Sequence, residues 1–197
     1  MNVAIILKAP ELNCKVIEQN VIFADAGYKF KELLKDKTIL GVVGDFDSLG
    51  SAPNGEKIIQ LEVEKNFTDG ERAVHFAKEC GAEEITIYGA FGGKIEHVLG
   101  NIALLKIAHN IGLKAKIVDE NTTMQLVCGE SELKVKKGAN VSLIPYGGNC
   151  TFIKSKGLYY PLDGLTLTPE DTRGISNVAL EQDVTLEILS GQALVVY

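Results

Sequence analysis

Basic residues are in short supply in this chain of 197 residues: 20 Lys and Arg stand against 26 Asp and Glu, a formal charge of −6. That deficit excludes a reader of the nucleic-acid backbone, which needs a basic face to displace counterions. A nucleotide stays open, because carboxylates can hold Mg²⁺ and let the metal meet the phosphates. Cysteine is sparse and scattered. Cys14, Cys80, Cys128 and Cys150 form no C-x-x-C pair, so neither a zinc site nor a disulfide framework is expected, and reduced thiols of a cytoplasmic protein are. Long hydrophobic runs are also missing. Val3–Leu7 is apolar but too short for a signal peptide or a membrane span, and it reads as a first β-strand. Neither an internal repeat nor a low-complexity linker interrupts the chain. What is abundant is hydrophobic residues, 46%, which is enough to build a core and excludes disorder.

The two halves follow different patterns. Up to about residue 122, compact Val- and Ile-rich runs (Val3–Leu7, Val21–Ala24, Ile39–Val43, Ile58–Leu61, Glu84–Tyr88, Ala115–Val118) have the character of buried parallel strands. Helical spacing fills the gaps: Phe30, Leu33 and Leu34; then Ala73, Phe76, Ala77 and Cys80. A stretch from Val98 to Ile111 is apolar on several faces and is expected to be well buried. Residues 1–122 are therefore expected to form a mostly parallel open α/β sheet domain. Residues 123–197 show short runs (Thr123–Val127, Glu132–Val135, Val141–Ile144, Val184–Leu189, Ala193–Val196) between glycine-rich turns, the pattern of a small antiparallel β-sandwich or barrel.

Open parallel sheets bind ligands outside the carboxyl ends of their strands. Four strand ends here carry polar clusters: Asp25-Ala26-Gly27, Gly44-Asp45-Phe46-Asp47-Ser48, Asn66-Phe67-Thr68-Asp69, and Gly89 through His97. Asp25, Asp45, Asp47, Asp69 and Glu96 would then share one edge, and carboxylates so gathered repel one another. A divalent cation relieves that, and oxygen donors suit Mg²⁺. Each cluster also has a plain structural reading. Asp25 could cap the helix carrying Phe30 and Leu33, Thr68-x-x-Glu71 matches a capping box, and Asp69 in a first turn suits the helix dipole. Two motif matches fail. The segment from Asp45 to Glu56 imitates a calcium loop but has Leu49 at a ligand position, and Gly89–Lys94 lacks the Ser or Thr and the spacing of a Walker loop. A glycine-rich turn into a helix still offers backbone N–H groups to phosphate.

In this order, the motifs resemble the thiamine pyrophosphokinase family. The matching pieces are Asp25-Ala26-Gly27, Gly44-Asp45-Phe46-Asp47-Ser48, Thr68-Asp69, Gly89 through His97 with Asn101 beyond, and Gly174-Ile175-Ser176-Asn177 in the β half. The chain departs from the usual family pattern at Ala26, Asn66, Lys94 and Glu96; Lys94 keeps a charge without the planar two-pronged grip of arginine. The resemblance implies transfer of pyrophosphate from ATP to the hydroxyethyl oxygen of thiamine, giving thiamine diphosphate and AMP. It implies Mg²⁺ on Asp25, Asp45, Asp47 and Asp69, with Asp47 or Asp69 accepting the hydroxyl proton. It places ATP against Asp25, Ser48, Thr68, Gly89, Gly92, Gly93, Lys94, Glu96, His97 and Asn101, and thiamine against Ser176 and Asn177. It also implies a homodimer with the thiamine site at the interface, and no nucleic-acid or membrane partner. Two other readings stand beside it: a nucleotide- or thiamine-sensing protein that keeps the fold without turnover, and a Mg²⁺-dependent transferase acting on another heterocyclic alcohol.

Overall fold

The structure is a computed structural model that describes residues 1–45, 57–60 and 67–197. Two compact units follow each other along the chain, Met1–Asn121 and Thr122–Tyr197.

The first unit is built on parallel strands. β1 (Asn2–Ile6), β2 (Asn20–Ala24), β3 (Thr38–Gly44), β4 (Ile58–Gln60), β5 (Glu84–Tyr88) and β6 (Lys114–Val118) lie side by side in the order β6-β5-β1-β2-β3-β4. Every pairing in this row is parallel. β1 is central and buried on both faces, with Val3, Ala4, Ile5 and Ile6 wholly inaccessible, which is why its sequence is a continuous apolar run rather than an alternating one. Parallel neighbours need crossovers, and two are α-helices: α1 (Asp69–Glu79) and α2 (Ile95–Asn110).

Two expectations are met with differences and one, the capping role of Asp25, is not met. The segment carrying Phe30, Leu33 and Leu34 is a 3-10 helix, Asp25–Leu34, and its inward row is Ala26, Phe30 and Leu34, one side chain every fourth residue; Leu33 is 67% exposed. Asp25 does not cap it. The cap position is Ala24, with no side-chain hydrogen bond. α2 is apolar all round yet buried only through Leu104, Leu105 and Ala108; Ile95 and Leu99 are 70% and 62% exposed. Composition registers the apolar surface of a helix but not whether its own chain covers it.

The second unit is a sandwich of two antiparallel sheets. One has the order β12-β9-β14-β7, from β7 (Thr123–Val127), β9 (Asn140–Pro145), β12 (Asn177–Val178) and β14 (Ala193–Val196). The other has the order β11-β10-β13-β8, from β8 (Glu130–Lys134), β10 (Cys150–Lys156), β11 (Thr166–Leu167) and β13 (Asp183–Ser190). Alternate residues of both sheets, including Val141, Leu143, Phe152, Leu167, Val184, Leu186 and Val195, meet in one core. Among the described residues, no helix is long and apolar enough to cross a membrane.

Candidate active site

Asp25, Asp45 and Asp69 come together although they are far apart in sequence. One carboxylate oxygen from each lies within 4.8 Å of the others, and all three side chains are half-buried. The sheet explains the convergence. Asp25 follows β2 and Asp45 follows β3, its parallel neighbour, while Asp69 is the first residue of α1. Gly44 brings the first two close, since a Cβ there would sit 3.2 Å from the Asp25 Cα. Asp25 itself has φ of +44°, a left-handed conformation that costs a non-glycine residue about 1–2 kcal/mol and that Asp tolerates better than most. Strain of this kind persists where the surroundings over-determine it, as they do at ligand sites.

Three like charges at this separation repel by roughly 1–4 kcal/mol per pair, depending on how far water screens them. In addition, Asp25 Oδ1 is buried without a hydrogen-bond partner among the described residues. A buried acceptor left in this way is rare in folded proteins and calls for a donor or a cation. An all-oxygen carboxylate set that needs positive charge fits Mg²⁺ better than zinc or copper. Asp47 and Ser48, and with them Asn66, lie outside the described residues.

Thr68 caps α1. The Glu71 N–H donates to Thr68 Oγ1 at 3.1 Å, so the capping-box reading describes what this hydroxyl does here. That bond fixes the first turn of α1 and hence Asp69.

Beyond β5 the chain makes the glycine-rich turn. Gly89 has φ of +71°, and a Cβ there would lie 2.8 Å from Leu7 O, so only glycine lets the turn pass over the end of β1. Gly92, Gly93, Lys94, Glu96 and His97 are exposed around the N-terminus of α2, whose cap residue Lys94 makes no side-chain capping bond. The first N–H groups of a helix lack the usual partner four residues back, so a terminus of this kind can receive an anion. Asn101 acts on the turn itself, because its Nδ2 donates to Ala90 O at 2.9 Å and so ties the turn to the helix.

In the second unit, Ser176 has φ of +59° and donates its backbone N–H to Ser142 Oγ at 3.0 Å. Asn177 is buried and fully engaged. Its Oδ1 accepts from the N–H groups of Tyr160 (3.0 Å) and Val178 (2.8 Å), and its Nδ2 donates to Tyr160 O (2.7 Å). It holds a loop whose Tyr159 and Tyr160 are 59% and 61% exposed and meet edge to face at 4.8 Å.

One residue that sequence reasoning passed over is Lys29. From the 3-10 helix its Nζ donates to the carbonyls of Ala9 and Pro10, fastening the Asp25 segment to the strap between β1 and β2. A lone exposed lysine carries no signal for that in sequence.

Two family models match the chain: the catalytic domain of thiamin pyrophosphokinase over residues 15–117 and its vitamin B1 binding domain over residues 130–192. The chain belongs to the thiamin pyrophosphokinase family. It is 28% identical over 157 residues to a thiamine pyrophosphokinase of Bacillus subtilis, covering 75% of this chain and 73% of that one. Its fold matches the crystal structure of thiamine pyrophosphokinase from Bacillus subtilis with a TM-score of 0.86 at 24% identity, over 100% of this chain and 98% of that one. The thiamin pyrophosphokinase of Candida albicans shares the fold at 17% identity, with a TM-score of 0.76 over 99% and 88% of the two chains. The α/β sheet followed by a β-sandwich is thus the architecture of the family.

Proposed function

We infer that the chain transfers the pyrophosphate group of ATP to thiamine, and that the three-aspartate cluster is where the transfer is organised. The observation that carries this is the orphaned Oδ1 of Asp25 beside the carboxylates of Asp45 and Asp69, in a chain of this family. The thiamine hydroxyl oxygen forms a bond to the β-phosphorus of ATP, and the bond from that phosphorus to the oxygen bridging it to the α-phosphorus breaks, with AMP leaving on that oxygen. Such transfers need positioning and charge neutralisation more than covalent help. Asp25, Asp45 and Asp69, with Asp47, would hold Mg²⁺, which when bound neutralises charge on the phosphoryl oxygens. Asp69 or Asp47 takes the hydroxyl proton. Gly89, Gly92, Gly93 and Lys94, with Glu96 and His97 near them, line the approach of the phosphates.

Ser176 and the exposed faces of Tyr159 and Tyr160 offer thiamine a hydroxyl and an aromatic surface for its thiazolium cation. Asn177 contributes by holding Tyr160 in place.

The deciding experiment is AMP release from ATP and Mg²⁺ with and without thiamine, following thiamine diphosphate in the same samples. The reading requires thiamine-dependent AMP, one for each thiamine diphosphate. Saturable thiamine binding without AMP would move the protein to the sensor reading.

We further propose a homodimer. The support is the uncovered apolar side of α2, where Ile95 and Leu99, four residues apart, share one helix face in solvent. Leu99→Asp is expected to halve the mass measured by light scattering on a sizing column, and an unchanged mass would remove this face from the interface.

A further inference from the structure

The strap between β1 and β2, residues 7–19, has no regular secondary structure, yet it is fastened at several points. Tyr88 at the end of β5 donates its hydroxyl to Glu18 at 2.8 Å in a buried pair, and burial and the carboxylate together push the Tyr88 pKa up. Cys14 Sγ lies 3.8 Å from Val118 O, the last residue of β6, and Lys29 holds Ala9 and Pro10. Between this strap and the glycine turn lies a cavity of about 140 Å³, lined by Glu11, Asn13, Gly89, Phe91, Gly92 and Asp119 among others. It far exceeds the space of one water, about 30 Å³.

Its chemistry is selective. Among the described residues no cationic side chain lines it, while two carboxylates and an amide do. A group bearing hydroxyl donors is suited to the carboxylate side of the cavity, while the phosphates keep to the glycine turn on its other side. Its place is equally informative. Asp119 follows β6, the glycine turn follows β5, and Asp25 follows β2 beyond β1, so cavity, turn and aspartate cluster lie in that order along one sheet edge. From β6 to β2 is three strand spacings, about 14 Å. A nucleoside triphosphate has the same order of parts and a comparable length: sugar, phosphates, and the metal-binding end.

We propose that Asp119 accepts hydrogen bonds from the ribose hydroxyls of ATP in this cavity, making it a specificity-determining residue for ribonucleotides. The half-buried carboxylate at a strand end can take the 2′- and 3′-hydroxyls of one sugar, and the fastened strap keeps the cavity formed before the nucleotide arrives. Asn13 and Phe91 complete its wall. This inference rests on the ATP-dependent reading above.

The test compares ATP with 2′-deoxy-ATP and 3′-deoxy-ATP, by calorimetric binding in the presence of Mg²⁺ and by KM in the AMP assay, for wild type and for Asp119→Asn. Wild type is expected to lose affinity for each deoxynucleotide by about tenfold or more, the usual effect of a lost hydrogen bond to a charged group. In Asp119→Asn the preference for ATP is expected to collapse, with kcat changed much less than KM. Equal binding of ATP and both analogues by wild type would overturn the proposal, and so would a folded variant that keeps the preference. The analogue series on wild type decides the matter even if the variant does not fold. Because binding is read separately from turnover, ATP binding without thiamine diphosphate would count against the transferase reading alone.

Discussion

Asp25→Asn is expected to lower the rate of thiamine diphosphate formation by about a hundredfold or more, the scale on which removal of one preorganised electrostatic group acts. The same substitution is expected to raise the melting temperature of the metal-free protein. These opposite signs are the diagnostic feature. Without a cation, Asp25, Asp45 and Asp69 repel one another across 4.8 Å or less, and Asp25 Oδ1 has no donor among the described residues. An amide of the same shape removes one charge and supplies an N–H. With a cation, the third carboxylate is what binding needs. A ligand at a hundred times its Kd stabilises by about 2.7 kcal/mol. For a chain of this size that is a rise of roughly 5–10 °C. Wild type should show such a saturable rise with added Mg²⁺, and the variant should show little of it. A variant that turns over at the wild-type rate, or a wild type whose melting ignores Mg²⁺, would remove the cluster from the mechanism.

Asn177→Ala is expected to cost about 3 kcal/mol of unfolding free energy, read from urea titration, and to raise the thiamine KM while leaving the ATP KM nearly unchanged. Three hydrogen bonds converge on this one amide, two from N–H groups and one to a carbonyl. The side chain is 4% exposed, so water does not replace them freely. Each orphaned backbone group costs about 1–3 kcal/mol, partly recovered by relaxation of the loop. Asn177→Asp keeps both acceptor bonds but sets a carboxylate oxygen against Tyr160 O, so it should recover only part of the loss. Ser176→Ala is the contrast. The hydrogen bond from Ser176 to Ser142 comes from its backbone N–H, which the substitution keeps, and stability should stay within about 0.5 kcal/mol of wild type. A raised thiamine KM in Ser176→Ala without loss of stability would assign the contact to the hydroxyl. Unchanged KM in both variants would place thiamine elsewhere.

Some of this was legible from the chain alone, and for a physical reason. Strands β1, β2 and β5 are covered on both faces or nearly so, and such strands must be apolar at successive positions, which no turn or exposed helix imitates. Acidic residues directly after neighbouring parallel strands must then converge, since parallel strands end at the same edge; Asp25 and Asp45 obey this. β10 was not legible. Its sequence, Cys-Thr-Phe-Ile-Lys-Ser-Lys, loses the two-residue alternation because the pairing with β13 shifts register twice, between Thr151 and Phe152 and between Phe152 and Lys154. The work of Asn177 was equally hidden. A buried amide takes whichever backbone groups the tertiary fold brings to it, and Tyr160 lies on another loop. Asp119 carries the same strand-end signal as Asp25 and Asp45, but it stands apart from the polar clusters and yields its meaning only with the cavity beside it.

The central position of β1 governs how the α/β unit is assembled. Ala4 stands opposite Val21 on one side and Thr86 on the other. The first partner is local, but the second arrives only after β3, β4 and α1 have been strung between them. Closing so long a loop spends chain entropy before any contact repays it, and parallel pairings of this kind fold slowly. Until β5 docks, Val3, Ala4, Ile5 and Ile6 present an unpaired apolar edge, the kind of surface on which folding chains stick to one another. The strand that holds the finished sheet together is thus the one most exposed to misassembly while the sheet is being made.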